Sequence, residues 1–159
     1  MSRAFVKESD NEPVLLPDRP ISPHRNFVTA RGMAAIETNL HRFEAALKTA
    51  VTKADKHALA GALREVRYWS ARRSSAEVVK SPSLPDRVAF GTTVTLRRED
   101  GREQTFTIVG EDEADPSSGT MSYVSPLARA AMGRAIGDSV DVSSQIAVIL
   151  SIVSSQREK

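Results

Sequence analysis

Apolar residues recur at Met33, Ile36, Leu40, Phe43, Leu47 and Ala50, at alternating steps of 3 and 4 residues. An α-helix brings such positions onto one face, and a heptad seam of this kind needs a partner to cover it. A second seam follows Asp55 through Leu59, Ala62 or Leu63, Val66, Trp69 or Ser70, Arg73 and Ala76, and Pro82 ends it. Two seams of about three turns each, joined by a short polar segment, pair most simply as an antiparallel helical hairpin, a coiled coil over residues 29–80. One continuous helix through residues 48–58 is the alternative, because nothing in that stretch forbids helix. Thr29 is the expected N-cap of the first helix, although Gly32 stands where a capping box would carry its reciprocal Glu. Asp55 is the expected N-cap of the second.

The flanks differ from this core pattern. Residues 1–28 contain Pro13, Pro17, Pro20 and Pro23, which remove backbone donors and favour extended geometry, so an extended or disordered arm is expected. Its triplet Val14, Leu15 and Leu16 is apolar. Residues 81–159 read as strands and turns: Val88, Phe90, Thr92, Val94 and Leu96 alternate, and Asp100-Gly101 marks a hairpin turn. "QTFTIVG" and "TMSYVS" are further strands, and "SVDVSSQIAVILSIVSS" supplies one or two more. Between them "SPLARAAMGRAIGD" predicts a short helix with Ser125 as N-cap, Pro126 at the first helical position and Gly133 closing it. The fold class is therefore α+β: a helical hairpin, then a small antiparallel sheet carrying one helix.

Composition narrows the chemistry. The chain has no Cys, which excludes a disulfide framework, thiolate metal sites and a thiol nucleophile. It has no apolar run of about 18 residues that would span a bilayer and no apolar stretch near its start, so a cytoplasmic protein without membrane contact is expected. The formal charge of +2 conceals a division: residues 29–80 hold ten basic against five acidic residues, net +5, and residues 81–159 hold eight against eleven, net −3. A charge of that size is weak support for direct DNA binding, so any nucleic-acid contact is expected to be weak or indirect. Arg64, Arg67, Arg72 and Arg73 surround Trp69 and predict a basic hairpin face, with Trp69 anchoring the hairpin onto the second unit. The four carboxylates of "GEDEADPSSG", residues 110–119, fit no EF-hand spacing and read as a solvated acidic loop. His24, His41 and His57 are scattered, and neither a nucleophile elbow nor a phosphate loop occurs, so no cofactor, metal site or catalytic residue is expected.

A hairpin opening on Thr29-x-x-Gly32, followed by "VAFGTTVTL", "FTIVGEDEAD", "SYVSPLARAAMG" and "IGDSVDV", resembles the GreA/GreB transcription elongation factor family across residues 29–153. The start, MSRAFVKE, is similar to a bacterial subgroup of it. The resemblance implies an N-terminal coiled coil and a C-terminal FKBP-like unit that docks on bacterial RNA polymerase beside its secondary channel, which the coiled coil enters. It further implies a docking loop at Ser125, with Asp or Asn commonly preceding the Ser; here that residue is Val124, and Pro126, Leu127 and Arg129 complete the candidate surface. In the family's cleavage factors two carboxylates at the tip, within a Gly-Asp-x-x-Glu-Asn-type motif, help hold a second Mg²⁺. A hard cation of this kind needs carboxylate or phosphate oxygens to replace its waters.

The tip departs from that motif. Between Leu47 and Leu59 lie Lys48, Lys53, Lys56 and His57 against a single carboxylate, Asp55. Glu44 and Glu65 lie roughly 12 Å or more down the helices at about 1.5 Å per residue. The expectation is a polymerase-binding regulator of elongation that does not stimulate transcript cleavage. Its rivals are a cleavage factor working through Asp55, a module of the nucleoside diphosphate kinase regulator type, and a prolyl isomerase, which would need a pocket built from Phe90, Phe106 and Tyr123.

Overall fold

The computed structural model describes residues 14–156. Residues 1–13, the first half of the expected arm, lie outside the described residues. Two long helices, α1 (Ala30–Thr52) and α2 (Lys56–Ser75), pack side by side and are joined through Lys53, Ala54 and Asp55. The helix therefore breaks between the two seams. Ala54 adopts a left-handed φ of 51°, and Asp55 caps α2 by accepting from Ala58 N. Towards the base of the hairpin Ile36 and Leu40 pack with Trp69 and Val28, whereas towards the tip only alanines, Ala50, Ala60 and Ala62, are buried. The hairpin is thick at its base and thin at its tip.

α2 stops at Ser75, short of the seam's predicted end at Pro82. Residues Ala76–Val78 form strand β2, which pairs in parallel with β1 (Asn26–Val28). The whole hairpin is the crossover that a parallel pair requires. Asn26 lies across the end of α2, where its Nδ2 donates to Arg72 O at 2.8 Å and satisfies a carbonyl the helix leaves open. The final residues of the expected arm are thus a strand. Upstream, Val14–Arg25 has no regular structure but is held on α2: Asp18 pairs with Arg67 at 2.6 Å, and Arg19 pairs with Glu65 at 2.7 Å and stacks over the Tyr68 ring.

The C-terminal sheet has the order β5-β4-β3-β7-β6, built from β3 (Thr92–Arg98), β4 (Glu103–Val109), β5 (Thr120–Ser122), β6 (Ser139–Val142) and β7 (Gln145–Ser154). Its neighbours are antiparallel except β5, which runs parallel to β4. The predicted Asp100-Gly101 turn joins β3 to β4, with Gly101 at φ 84°. β3 begins at Thr92 rather than at Val88, because Gly91 turns the chain at φ 79° and the Thr92 hydroxyl bonds Ala89 O at 2.7 Å. Val88 and Phe90 enter the core all the same. One face of the sheet buries Val94, Leu96, Phe106, Ile108 and Ile149 against α3 (Pro126–Ala131), which contributes Ala128 and Ala131. Aliphatic side chains dominate this core, in keeping with a chain that is 5% aromatic.

Candidate functional site

The tip candidates come together around the helix break. Lys53 closes α1, Asp55 caps α2, and Lys56 and His57 occupy the first turn of α2; all four are exposed. The Asp55 carboxylate accepts from Ala58 N at 3.0 Å, which ties one of its oxygens to the helix. Glu44 is engaged with His41 and Glu65 with Arg19 and Trp69, both away from the tip. Among the described residues no group of three or more His, Asp or Glu is placed to hold a metal ion. The tip offers cations and one carboxylate, a poor ligand set for Mg²⁺.

The second candidate surface lies at the start of α3. Ser125 accepts from Ala128 N and Pro126 occupies the first turn, so Val124 to Leu127 form a capped entrance to the helix, with Pro126 and Arg129 exposed. Leu127 packs partly against the sheet core. Met132 and Ile136, which follow the other end of the helix, are also exposed.

The predicted basic face does not survive as a free cationic surface. Arg72 is 2% exposed and buried between the two units. Its Nε donates to Asp112 at 2.5 Å and its Nη2 to Asn26 Oδ1 at 2.7 Å, with Glu111 at 3.9 Å. Arg67 is paired with Asp18, Arg73 with Glu37 at 3.4 Å, and Arg64 is half-buried. Two of these four arginines therefore meet carboxylates from outside the hairpin, Arg67 from the arm and Arg72 from the acidic loop.

The first half of that loop is not solvated, whereas Asp115 and Pro116–Ser118 are exposed as expected. Glu111–Glu113 forms a single 3-10 turn turned towards the hairpin base. Asp112 accepts from Arg72 and from the Tyr68 hydroxyl. Burial first, and then this bond to Asp112, pushes the Tyr68 hydroxyl up to about 12, so it remains a donor at neutral pH. Glu113 accepts from Thr29 N at 3.1 Å and from Thr29 Oγ1 at 2.6 Å.

Trp69 does not anchor the two units together. It belongs to the hairpin's own cluster with Ile36, Leu40 and Val28. The apolar joint is β1, whose side chains alternate sides as strand geometry demands: Val28 enters the hairpin cluster and Phe27 packs on the sheet core. Phe27 meets Phe90 and Tyr123 at ring distances of 6.1 and 5.3 Å, and the Tyr123 hydroxyl donates to Arg25 O. Burial, followed by the charge of Glu111, raises the Tyr123 hydroxyl above its ordinary range. Phe90 and Tyr123 thus pack against Phe27 and each other, and Phe106, the third ring expected of an isomerase pocket, is buried in the sheet core.

A family model described as "Transcription elongation factor, GreA/GreB, C-term" matches residues 82–154, the sheet and α3. Transcription elongation factor GreA of Desulfovibrio desulfuricans is 36% identical over 134 residues, spanning 72% of this chain and 83% of that protein. The chain belongs to the GreA/GreB family. Transcription elongation factor GreA of Methylobacterium nodulans is 35% identical over 136 residues, covering 73% of this chain and 86% of its own length. Transcription elongation factor GreB of Neisseria meningitidis serogroup B is 46% identical over 80 residues, 48% of each chain. Among solved structures, GreA/GreB from Nitrosomonas europaea matches with a TM-score of 0.40 and 21% identity, covering 80% of this chain and 98% of that one. Thermus aquaticus Gfh1 matches with a TM-score of 0.39 and 20% identity, covering 82% and 100%.

In this Gre-family chain, sequence reasoning missed Asn26, Tyr68, Asp112 and Glu113, which join the two units. One signal for Glu113 was present: Gly32 left an N-cap Thr without its reciprocal acid. Nothing in the local pattern could say which distant carboxylate would fill the gap.

Proposed function

We propose that the protein binds RNA polymerase during elongation, docks beside the secondary channel through the entrance to α3, and inserts a hairpin that regulates the polymerase without supplying metal ligands. Membership of a family of elongation factors supports the partner. The observation that carries the non-cleaving reading is the tip: Asp55 is its one carboxylate, and that group is bonded to Ala58 N within a Lys-rich turn. Stabilising a second Mg²⁺ for in-line attack by water calls for more than one acidic oxygen donor at the tip. Lys53 and His57 are suited instead to contacts with phosphate or carboxylate groups lining the channel.

The test is to add the protein to backtracked elongation complexes of its native polymerase. The expected outcome is RNA of unchanged length, in wild type and in Asp55→Ala alike; a shortened RNA that depends on Asp55 overturns the non-cleaving reading. Docking is read from retention of polymerase subunits on the immobilised protein. Arg129→Glu, at an exposed position, should reduce that retention, and failure of the wild type to retain polymerase removes the docking reading.

A further inference from the structure

The Thr29 cap of α1 is completed from outside the helix. In a capping box the side chain at the third helical position reaches back to the N-cap amide. Here that position is Gly32, and the carboxylate doing the work belongs to Glu113, 84 residues from Thr29 in sequence. Thr29 Oγ1 accepts from Gly32 N at 3.0 Å while donating to Glu113 Oε1. A Cβ at Gly32 would stand 1.7 Å from Glu113 Oε2, so the missing side chain is the space the distant carboxylate fills. The neighbouring Asp112 grips the other helix through Tyr68 and Arg72. Just before them Gly110 lies against β1, where a Cβ would come within 2.4 Å of Phe27 O.

One short turn thus holds the first residues of α1, the last turns of α2 and strand β1. Beside this contact the hairpin base stands clear of the sheet, and Thr29 and Glu113 themselves form part of the wall of the gap. A cleft of about 760 Å³ separates Thr29, Arg31 and Ala35 from Thr107, Thr120 and Val153 on the sheet's outer face. Relative motion is the ordinary expectation for two units joined by a limited contact. The Phe27 joint fixes where the units meet, and the polar attachments of the turn add the constraint on the angle between them.

We propose that the Glu111–Glu113 turn is an orientation bracket, with Asp112 and Glu113 as positioning residues that set the angle at which the hairpin leaves the sheet. The lever is long. At about 1.5 Å per residue α1 extends about 34 Å, so a swing of about 10° displaces the tip by about 6 Å. The bracket concerns the free protein and does not depend on which partner the tip meets.

The absence of Cys allows a clean label pair at exposed positions, Ala46→Cys on α1 and Ser139→Cys on the sheet, read by pulsed dipolar spectroscopy on the full chain. The wild-type background should give one narrow distance. Asp112→Ala/Glu113→Ala should broaden the distribution about twofold or more, as for units released to move. A control pair within α1, Ala34→Cys/Ala46→Cys, should remain unchanged and show that the helix persists.

Adding Gly32→Glu to that double variant returns the capping carboxylate to the helix itself. It should recover hairpin thermal stability without narrowing the distribution between the units, which separates capping from positioning. Gly32→Ala, which leaves every carboxylate in the chain but displaces that of Glu113, should broaden or shift the same distance. An unchanged narrow distance in the double variant or in Gly32→Ala, or its restoration by Gly32→Glu, overturns the proposal.

Discussion

The two ends of the hairpin are made of similar helix and do opposite things. At the tip the buried residues are alanines, the charges are exposed, and the turn is closed by local backbone bonds from Lys53, Ala54 and Asp55 and by the cap that Asp55 accepts from Ala58 N. At the base Ile36, Leu40 and Trp69 are buried, and a guanidinium is sealed between units with carboxylate and amide partners on each side. A charge at the tip is solvated and its substitution is tolerated. A charge at the base has been taken out of water and depends on its partner. The contrast separates a solvated end from a sealed one.

The largest expected effect breaks the base. Arg72→Ala removes the guanidinium from Asp112 and should destabilise the protein by about 3 kcal/mol in urea unfolding, as expected when a buried pair loses one member. Arg73→Ala, one residue on but paired with Glu37 at the surface, should cost under about 1 kcal/mol. Equal effects for the two would end the distinction between sealed and solvated charge.

Two glycines sharpen it next. Gly32→Ala should destabilise by about 1 kcal/mol, because the new Cβ evicts the Glu113 carboxylate from its bonds to Thr29. Gly61→Ala, in the thin half of the hairpin where a Cβ would meet nothing within 4 Å, should stabilise by about 1 kcal/mol through helix propensity alone. A shift of the same sign at both positions would contradict the packing described for the base.

The smallest effect appears only in alkali. The Tyr68 hydroxyl is raised to about 12 in the folded protein. In the unfolded chain it titrates near 10. Its contribution is therefore complete below pH of about 10 and is lost as pH rises towards about 12. Tyr68→Phe should flatten the fall of stability across that window, and an unchanged slope would show that the bond to Asp112 contributes nothing there.

Much of the architecture was legible in the chain. The seams at Met33 to Ala50 and Leu59 to Trp69, the caps at Thr29, Asp55 and Ser125, and the Asp100-Gly101 turn are local signals, and each was found where expected. The Ser143-Ser144 turn between β6 and β7 carried no such signal, because both residues adopt left-handed φ, 54° and 64°, without being Gly or Asn. The arm was read as extended or disordered, the arginines as a basic face and the acidic loop as solvated, because none of these segments carries a local signal for its distant partner. Folding brings them together: Asp18 lies on Arg67 and Asp112 on Arg72.

The sequence by itself determined the helical hairpin, the sheet with its short helix, and a tip with one carboxylate among lysines, because periodicity, caps and ligand types are properties of neighbouring residues. Tertiary structure alone decided that Glu113 completes the cap of α1, that Arg72 is sealed rather than exposed, and that β1 divides its side chains between two cores. The first two outcomes depend on contacts between residues 40 to 84 positions apart, and burial turns such distant polar groups into partners that local chemistry does not specify.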